Sequence, residues 1–343
     1  MSSDEEREKF EYQGQLVYNS IQLTDLSSGD AEELRGQLLD SLPSFSTGTP
    51  ASEGDGYESL DLLEYVENHG GIKEELREVA DEIVDLEYKY ESYPTEAIEV
   101  VDIEGRETRA FPRNIKSAYV FWQYPDYLFI QGSKSKAREV GPKVNAAFGE
   151  NVHLTSVEFD ANFLLWLFYK YDNGGRVPGD ISIEKLTAAE VEGELPDFGR
   201  NNRIDKSRDV SASLALIAGL LQNMDLSVIE GEFLIAGEKI DADIRKEGRV
   251  QVRAGLDLQT KSDLERALIG IKFLTEVSEL YEDWQTLDPT DKIPHPSYFA
   301  ELREKAVNQD AEFNFDFDEL VYHYADLRNE DPADYDFDFG MDE

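Results

Sequence analysis

The sequence predicts an α+β protein: a central ββαβα unit, an antiparallel meander, and helices that cover them. Three observations carry this reading. Residues 117–122 (Ser-Ala-Tyr-Val-Phe-Trp) and 127–131 are the most β-prone runs of the chain, and a helical pattern follows them directly. Residues 226–254 alternate short apolar runs with glycine-bearing turns, as a meander does. Residues 163–169 are apolar throughout and read as a buried helix, and a further helix is expected over roughly 261–284.

The totals bound what such a chain can be. Its 343 residues hold 74 Asp+Glu against 33 Lys+Arg, a formal net charge of −41, yet 40% are hydrophobic and 11% aromatic. That supply of apolar residues supports a core, so the charge is a surface property and not a sign of disorder. The acidity runs through nearly all segments instead of marking one face. With no Cys and only three Met, this is the pattern of a halophilic protein solvated in concentrated salt. Absence of Cys excludes disulfides, thiol nucleophiles and Cys-ligated zinc. The chain opens acidic, with no apolar run that would read as a signal peptide. Its longest apolar run, 163–169, falls far short of the roughly 20 residues that span a bilayer, so a cytoplasmic protein is expected.

Taken in order, residues 1–105 form a mixed strand and helix region. Residues 10–23 read as one or two strands, and Ser28 or Asp30 can cap a helix to about Leu42. Residues 43–57, rich in Ser, Thr, Gly and Pro, read as a flexible loop. Helices are expected over 58–68 and 72–92, the second from Ile72, Leu76, Val79, Ile83, Leu86 and Tyr90, and a strand over 97–103.

The central core is expected over 106–285, as half-domains 106–198 and 199–285. Strands 117–122 and 127–131 flank a Tyr124-Pro125-Asp126 turn. Gly132-Ser133 opens a helix with Ala137, Val140, Val144 and Ala147 inward; Gly141-Pro142 either kinks it or marks its start. A strand at 152–159 and a helix capped by Asp160 complete the ββαβα unit over 117–172. Residues 199–208 read as a basic loop. A helix at 214–221 follows, then a meander turning at Gly231, Gly237-Glu238 and Glu247-Gly248. Helices at 297–308 and 318–328 fall within a C-terminal region, 286–329, and 330–343 is an acidic, aromatic tail.

No motif nominates a catalyst. The chain has no Gly-x-Ser-x-Gly elbow, no complete phosphate loop and no dinucleotide fingerprint, and its four His share no metal-ligand spacing. Neither a metal nor a cofactor is called for, and catalysis stays open. The informative feature is a reversal of sign. Residues 106–148 hold eight basic residues (Arg106, Arg109, Arg113, Lys116, Lys134, Lys136, Arg138, Lys143) against three acidic ones. Two smaller clusters follow: Arg200, Arg203, Lys206 and Arg208 in 199–208, then Arg245, Lys246, Arg249 and Arg253 in 245–253. Gathered on one surface, these cations suit a phosphate backbone. The expected function is therefore non-catalytic binding of nucleic acid or another phosphate-bearing ligand. The alternatives are an interaction or structural subunit whose basic patch receives an acidic segment, such as the 330–343 tail of another copy in an oligomer, and an enzyme on a phosphorylated or nucleic-acid substrate.

Overall fold

A computed structural model describes residues 16–26, 31–101, 103–174, 176–195, 199–205, 209–254, 258, 261–309 and 316–335. It is an α+β structure with extensive antiparallel sheet. Its packing falls into two units, Met1–Val157 with Ser262–Ile271, and Glu158–Lys261 with Lys272–Glu343, so the expected 106–285 core contributes to both.

The first unit holds β1 (Leu16–Leu26), α1 (Ala31–Ser41), β2 (Asp55–Ser59), α2 (Leu62–Asn68), α3 (Glu74–Glu82), β3 (Ile83–Ser92), β4 (Ile98–Val101), β5 (Glu107–Ala110), β6 (Asn114–Gln123), β7 (Tyr127–Gln131), α4 (Lys134–Phe148) and β8 (Val152–Ser156). Its sheet runs β8-β1-β7-β6-β3-β2, every pairing antiparallel. Strands β6 and β7 are apolar on both faces because both faces are covered. Val120, Trp122, Leu128 and Ile130 meet Leu38 of α1 and Ala137, Val140, Val144 and Phe148 of α4. On the opposite face Phe121 and Phe129 pack edge-on to Tyr18. There, a Cβ on Gly270 would lie 2.7 Å from Leu16, so this glycine is the point of closest helix approach.

Two sequence expectations are corrected here. The single helix over 72–92 is a nine-residue helix followed directly by β3. Val84, Leu86, Tyr88 and Tyr90 alternate with polar residues, and this period of two, in β-branched and aromatic residues, outweighs the helical spacing shared by Ile83, Leu86 and Tyr90. Residues 58–68 likewise divide between the end of β2 and α2. Helix α4 starts at Lys134 and runs through Pro142.

Residues 43–57 are held by specific bonds. Thr49 and Ser52 exchange backbone bonds of 2.8 and 2.9 Å, and Glu91 N–H donates to Gly54 O at 2.8 Å. The Glu91 carboxylate accepts from Gly48 N–H (2.8 Å) and Gly54 N–H (3.0 Å). Polar, glycine-rich composition here supplies close backbone approach: a Cβ on Gly48 would lie 2.1 Å from Ser52 O.

The second unit contains α5 (Ala161–Asp172), β9 (Ile181–Leu195), β10 (Gly199–Ile204), α6 (Leu214–Leu221), β11 (Asp225–Ile235), β12 (Glu238–Arg245), β13 (Arg249–Ala254), α7 (Asp263–Thr286, grouped with this unit from Lys272), α8 (Pro289–Lys292), α9 (Pro296–Val307) and α10 (Phe317–Leu327). The sheet order is β10-β9-β11-β12-β13, again antiparallel. Phe163 of α5 packs among Trp166, Tyr281 and Trp284, which is why residues 163–168 are buried on every side.

The elements expected as one ββαβα unit follow in that order and divide between the two units at Val157–Glu158, with α5 in the second. The turn expected at Gly231 is instead a bulge inside the continuous strand β11. A Cβ at Gly231 would sit 2.3 Å from Lys185 O of β9, so the glycine serves strand proximity and not reversal. The 199–208 loop is in part a strand, β10, paired with β9, which the sequence reading did not anticipate. Of the tail, residues 332–334 form a 3-10 turn and Tyr335 packs on His295; 336–343 lie outside the described residues.

Candidate functional site

The eight basic residues of 106–148 occupy four distinct settings within the first unit. Arg106 and Arg109 sit on the β4–β5 hairpin, paired with Glu104 (2.6 Å) and Glu99 (3.7 Å); all four side chains are well exposed. Such surface pairs contribute about 0–1 kcal/mol.

Arg113 works on structure. Its Nε lies 2.8 Å from Glu91 Oε1, while its N–H points to Tyr93 Oη at 3.2 Å. Arg113 Nη2 also donates to Gly48 O at 3.4 Å. Glu91 is fully buried beneath it. Burial pushes this carboxyl up, but Gly54 and Gly48 N–H, Tyr93 O–H and the Arg113 charge outweigh it and hold its pKa below the usual carboxylate range. Arg113 is thus the outer half of the clamp that closes residues 43–57.

Lys116 and Lys143 lie over the Tyr90 ring, at 5.7 and 4.8 Å from its centroid, and Lys143 also faces Tyr88 at 5.7 Å. Tyr90 donates to Glu139 at 3.1 Å. Burial first, then that bond and the Glu139 charge, push the phenol up to about 12, so the ring under the lysines stays neutral.

Lys134, Lys136 and Arg138 form the fourth setting, the first five residues of α4. None forms an ion pair with a carboxylate among the described residues. The corner is firmly built. Gly132 N–H donates to Val17 O at 2.8 Å, and Asn19 Nδ2 donates to Gly132 O. Gly132 has φ +147°, and a Cβ there would meet the Lys136 stem at 2.6 Å, so glycine lets that side chain fold across the turn. Ser133 is the N-cap and accepts from Lys136 N–H at 3.3 Å; its hydroxyl also meets Ser135 Oγ at 3.0 Å. No acidic residue occupies the first turn. Helix N-termini carry partial positive charge, so Lys134 and Lys136 in the first turn each cost about 0.3–1 kcal/mol that an anion would offset. Lys134 and Arg138, four residues apart, share one helix face next to the Ser133 cap and the free N–H groups, while the Lys136 stem lies over Gly132. The serines and Asn19 were not among the cations that the charge count singled out.

In the second unit the two smaller clusters meet, but on carboxylates. Arg203 contacts Glu190 (3.5 Å), Asp205 (2.7 Å) and Glu230 (3.2 Å). Arg253 contacts the same Glu230 (2.7 Å) and Asp243 (3.7 Å), and Asp243 also pairs with Arg245 at 3.4 Å. Arg249 donates to Gln251 at 3.1 Å, and Lys246 pairs with Glu192 and Asp225. Glu230 of β11 stands directly opposite Asp243 of β12, and Glu190 of β9 stands opposite Val228, two residues along β11, so the three carboxylates lie close enough to share the arginines. Arg200 lies on β10, with its side chain outside what is described, and Lys206 falls outside the described residues.

Two concavities are formed by described residues. A cleft of about 570 Å³ in the first unit has Leu39, Leu42, Ile83 and Leu86 on its floor and Glu58, Asp61, Glu64, Glu67, Asp81 and Asp85 around it. A second, of about 360 Å³ in the second unit, is lined by Glu158, Asp160, Asp225 and Glu247 with the already paired Lys246. Burial and the Asp160 charge push the Asp225 carboxyl up. Both are lined mainly by carboxylates and disfavour an anion. A scan of protein-family models finds none that matches this chain, and a search of curated proteins finds no match either.

Proposed function

We propose that the chain binds nucleic acid or another phosphate-bearing ligand at the α4 corner, through Lys134, Lys136, Arg138, the Ser133 and Ser135 hydroxyls and the helix N-terminus. The observation that carries this reading is three cations within the first five residues of α4 without a described carboxylate partner, on a chain of net charge −41. Elsewhere Arg113, Arg203, Arg245 and Arg253 are engaged with carboxylates, which narrows the interface from three clusters to one corner. At about 1 M salt the Debye length is roughly 3 Å, so counterion release contributes little and contact hydrogen bonds dominate. A guanidinium such as Arg138, able to grip phosphate with two N–H groups, is suited to that regime.

The test is fluorescence anisotropy with labelled single-stranded RNA, single-stranded DNA and duplex DNA, in about 1 M KCl. Pyrophosphate and a synthetic 330–343 peptide serve as competitors. The triple variant K134E/K136E/R138E should lose binding by about tenfold or more, equivalent to about 1.4 kcal/mol. A parent that binds none of the three, or a triple variant that binds as the parent does, overturns the reading. Displacement by the acidic peptide alone would transfer the corner to a protein partner.

A further inference from the structure

The β4–β5 hairpin forms a two-stranded sheet of its own, paired Ile98↔Ala110, Glu99↔Arg109, Val100↔Thr108 and Val101↔Glu107, with no third strand among the described residues. An isolated hairpin is marginal in water, and its open edges invite another strand. Exposed apolar bulk gathers here as well. Ile98, Val100, Val101, Ile103, Phe111 and Ile115 are all exposed large hydrophobic residues, Val101 at 62% and Ile103 fully. Six such residues along one short stretch exceed the scatter expected of a surface so heavily charged.

Charge selects what can cover them. The described hairpin residues carry Glu99, Glu104 and Glu107 against Arg106 and Arg109, so the arm is not net basic and does not suit a phosphate backbone. Strand β5 is complementary to itself. Antiparallel pairing of two β5 strands about Thr108 sets Glu107 opposite Arg109 of the partner subunit, and Arg109 opposite Glu107 of the partner subunit. Pairing two β4 strands about Glu99 would instead oppose like charges, which destabilises a sheet.

We infer that the β4–β5 hairpin is a self-association arm, through which two copies of this chain join β5 to β5 in antiparallel register and extend two hairpins into one four-stranded sheet. Thr108 lies at its centre, flanked by two Glu107–Arg109 pairs. On one face the Ile98, Val100 and Ala110 sides of both hairpins become continuous. That supplies the additional strands and apolar face that a lone hairpin lacks. Concentrated salt favours the union, because it screens the mutual repulsion of two chains of −41.

Light scattering on the full chain in about 1 M KCl tests this. The parent should approach twice the monomer mass as its concentration rises, and R109E, which sets Glu against Glu across the two-fold axis, should hold it at the monomer mass. The charge-swapped E107R/R109E pair restores opposite charges across the axis and should regain the dimer. Circular dichroism confirms that each variant retains its secondary structure, and Glu107→Arg, which sets Arg against Arg109 of the partner subunit while leaving the Glu99–Arg109 pair in place and should likewise hold the monomer mass, serves as the second arm if R109E perturbs the hairpin itself. A parent that stays monomeric at every concentration, a dimer unmoved by R109E, or a swap variant that fails to dimerise overturns the inference. Loss of nucleic-acid binding in the α4 triple variant, with the dimer intact, would separate the two surfaces.

Discussion

At the residue scale, Glu91 shows how one buried carboxylate organises a segment that composition marks as irregular. Two backbone N–H groups, a phenol and a guanidinium converge on it. Its folded pKa is depressed, so the stability it contributes is fully present above the unfolded value of about 4.3 and is lost as pH falls through the folded pKa. Urea midpoints measured against pH should therefore fall on the acid side, and Glu91→Gln should be less stable at neutral pH with a flatter acid limb. Arg113→Ala should lower the neutral midpoint without abolishing ligand binding, since Arg113 serves the clamp. A second residue-scale prediction follows from α4. Lys134→Glu replaces a cation by an anion at a positive helix end, so it should raise stability by about 0.5–1 kcal/mol while weakening the ligand. A thermal melt and an anisotropy titration on the same variant check both parts. Lower stability in that variant would mean that Lys134 has a structural partner.

At the scale of elements, the sheets explain where glycine is required. Gly231 lets β11 approach β9 at a bulge, with Lys185 O only 2.3 Å from where a Cβ would stand. Gly231→Ala must move backbone against backbone. A cost of about 1–3 kcal/mol is expected, the range of overpacked sites, and is read from the urea midpoint. Phe148, at the end of α4, is buried against Trp122 with ring centroids 4.8 Å apart. Phe148→Ala should cost about 3–5 kcal/mol, since the sheet face beneath it cannot collapse into the space. That variant also loosens the helix whose first five residues carry the proposed ligand site, so binding should weaken with stability. In Lys134→Glu the two should move in opposite directions.

At the scale of the whole molecule, charge is the governing quantity. A net −41 opposes compaction through self-repulsion, and salt relieves it. We predict that the melting temperature rises steeply with KCl up to about 1 M, where the Debye length reaches roughly 3 Å, and that sulfate raises it further by strengthening apolar burial. A melting temperature independent of salt would refute the halophilic reading. The Arg203, Arg245 and Arg253 cluster belongs to the same economy of charge. Asp243 is 1% exposed between two arginines, so removing either arginine leaves an under-compensated buried carboxylate. Arg253→Ala should accordingly destabilise the second unit more than loss of the well-exposed Arg109 destabilises the first.

Local chemistry was legible in the residues themselves. β-prone apolar runs and a proline turn marked the β6–β7 hairpin, Asp160 marked the start of α5, and the apolar run 214–221 marked α6, because each signal is complete within a few residues. The sign reversal over 106–148 was equally plain in composition. Long-range pairing was not legible. Whether Ile83–Ser92 continued a helix or became a strand depended on Asn114–Gln123 lying beside it, and whether Gly231 turned or bulged depended on β9, about 45 residues earlier. The same holds for the cations. Their number and spacing are properties of the chain, but Arg113, Arg203 and Arg253 were set apart from Lys134, Lys136 and Arg138 only when folding delivered Glu91, Glu230 and Asp243 to the first group and no described carboxylate to the second. Electrostatic partnership acts over a few ångströms of space, and sequence separation carries no record of it.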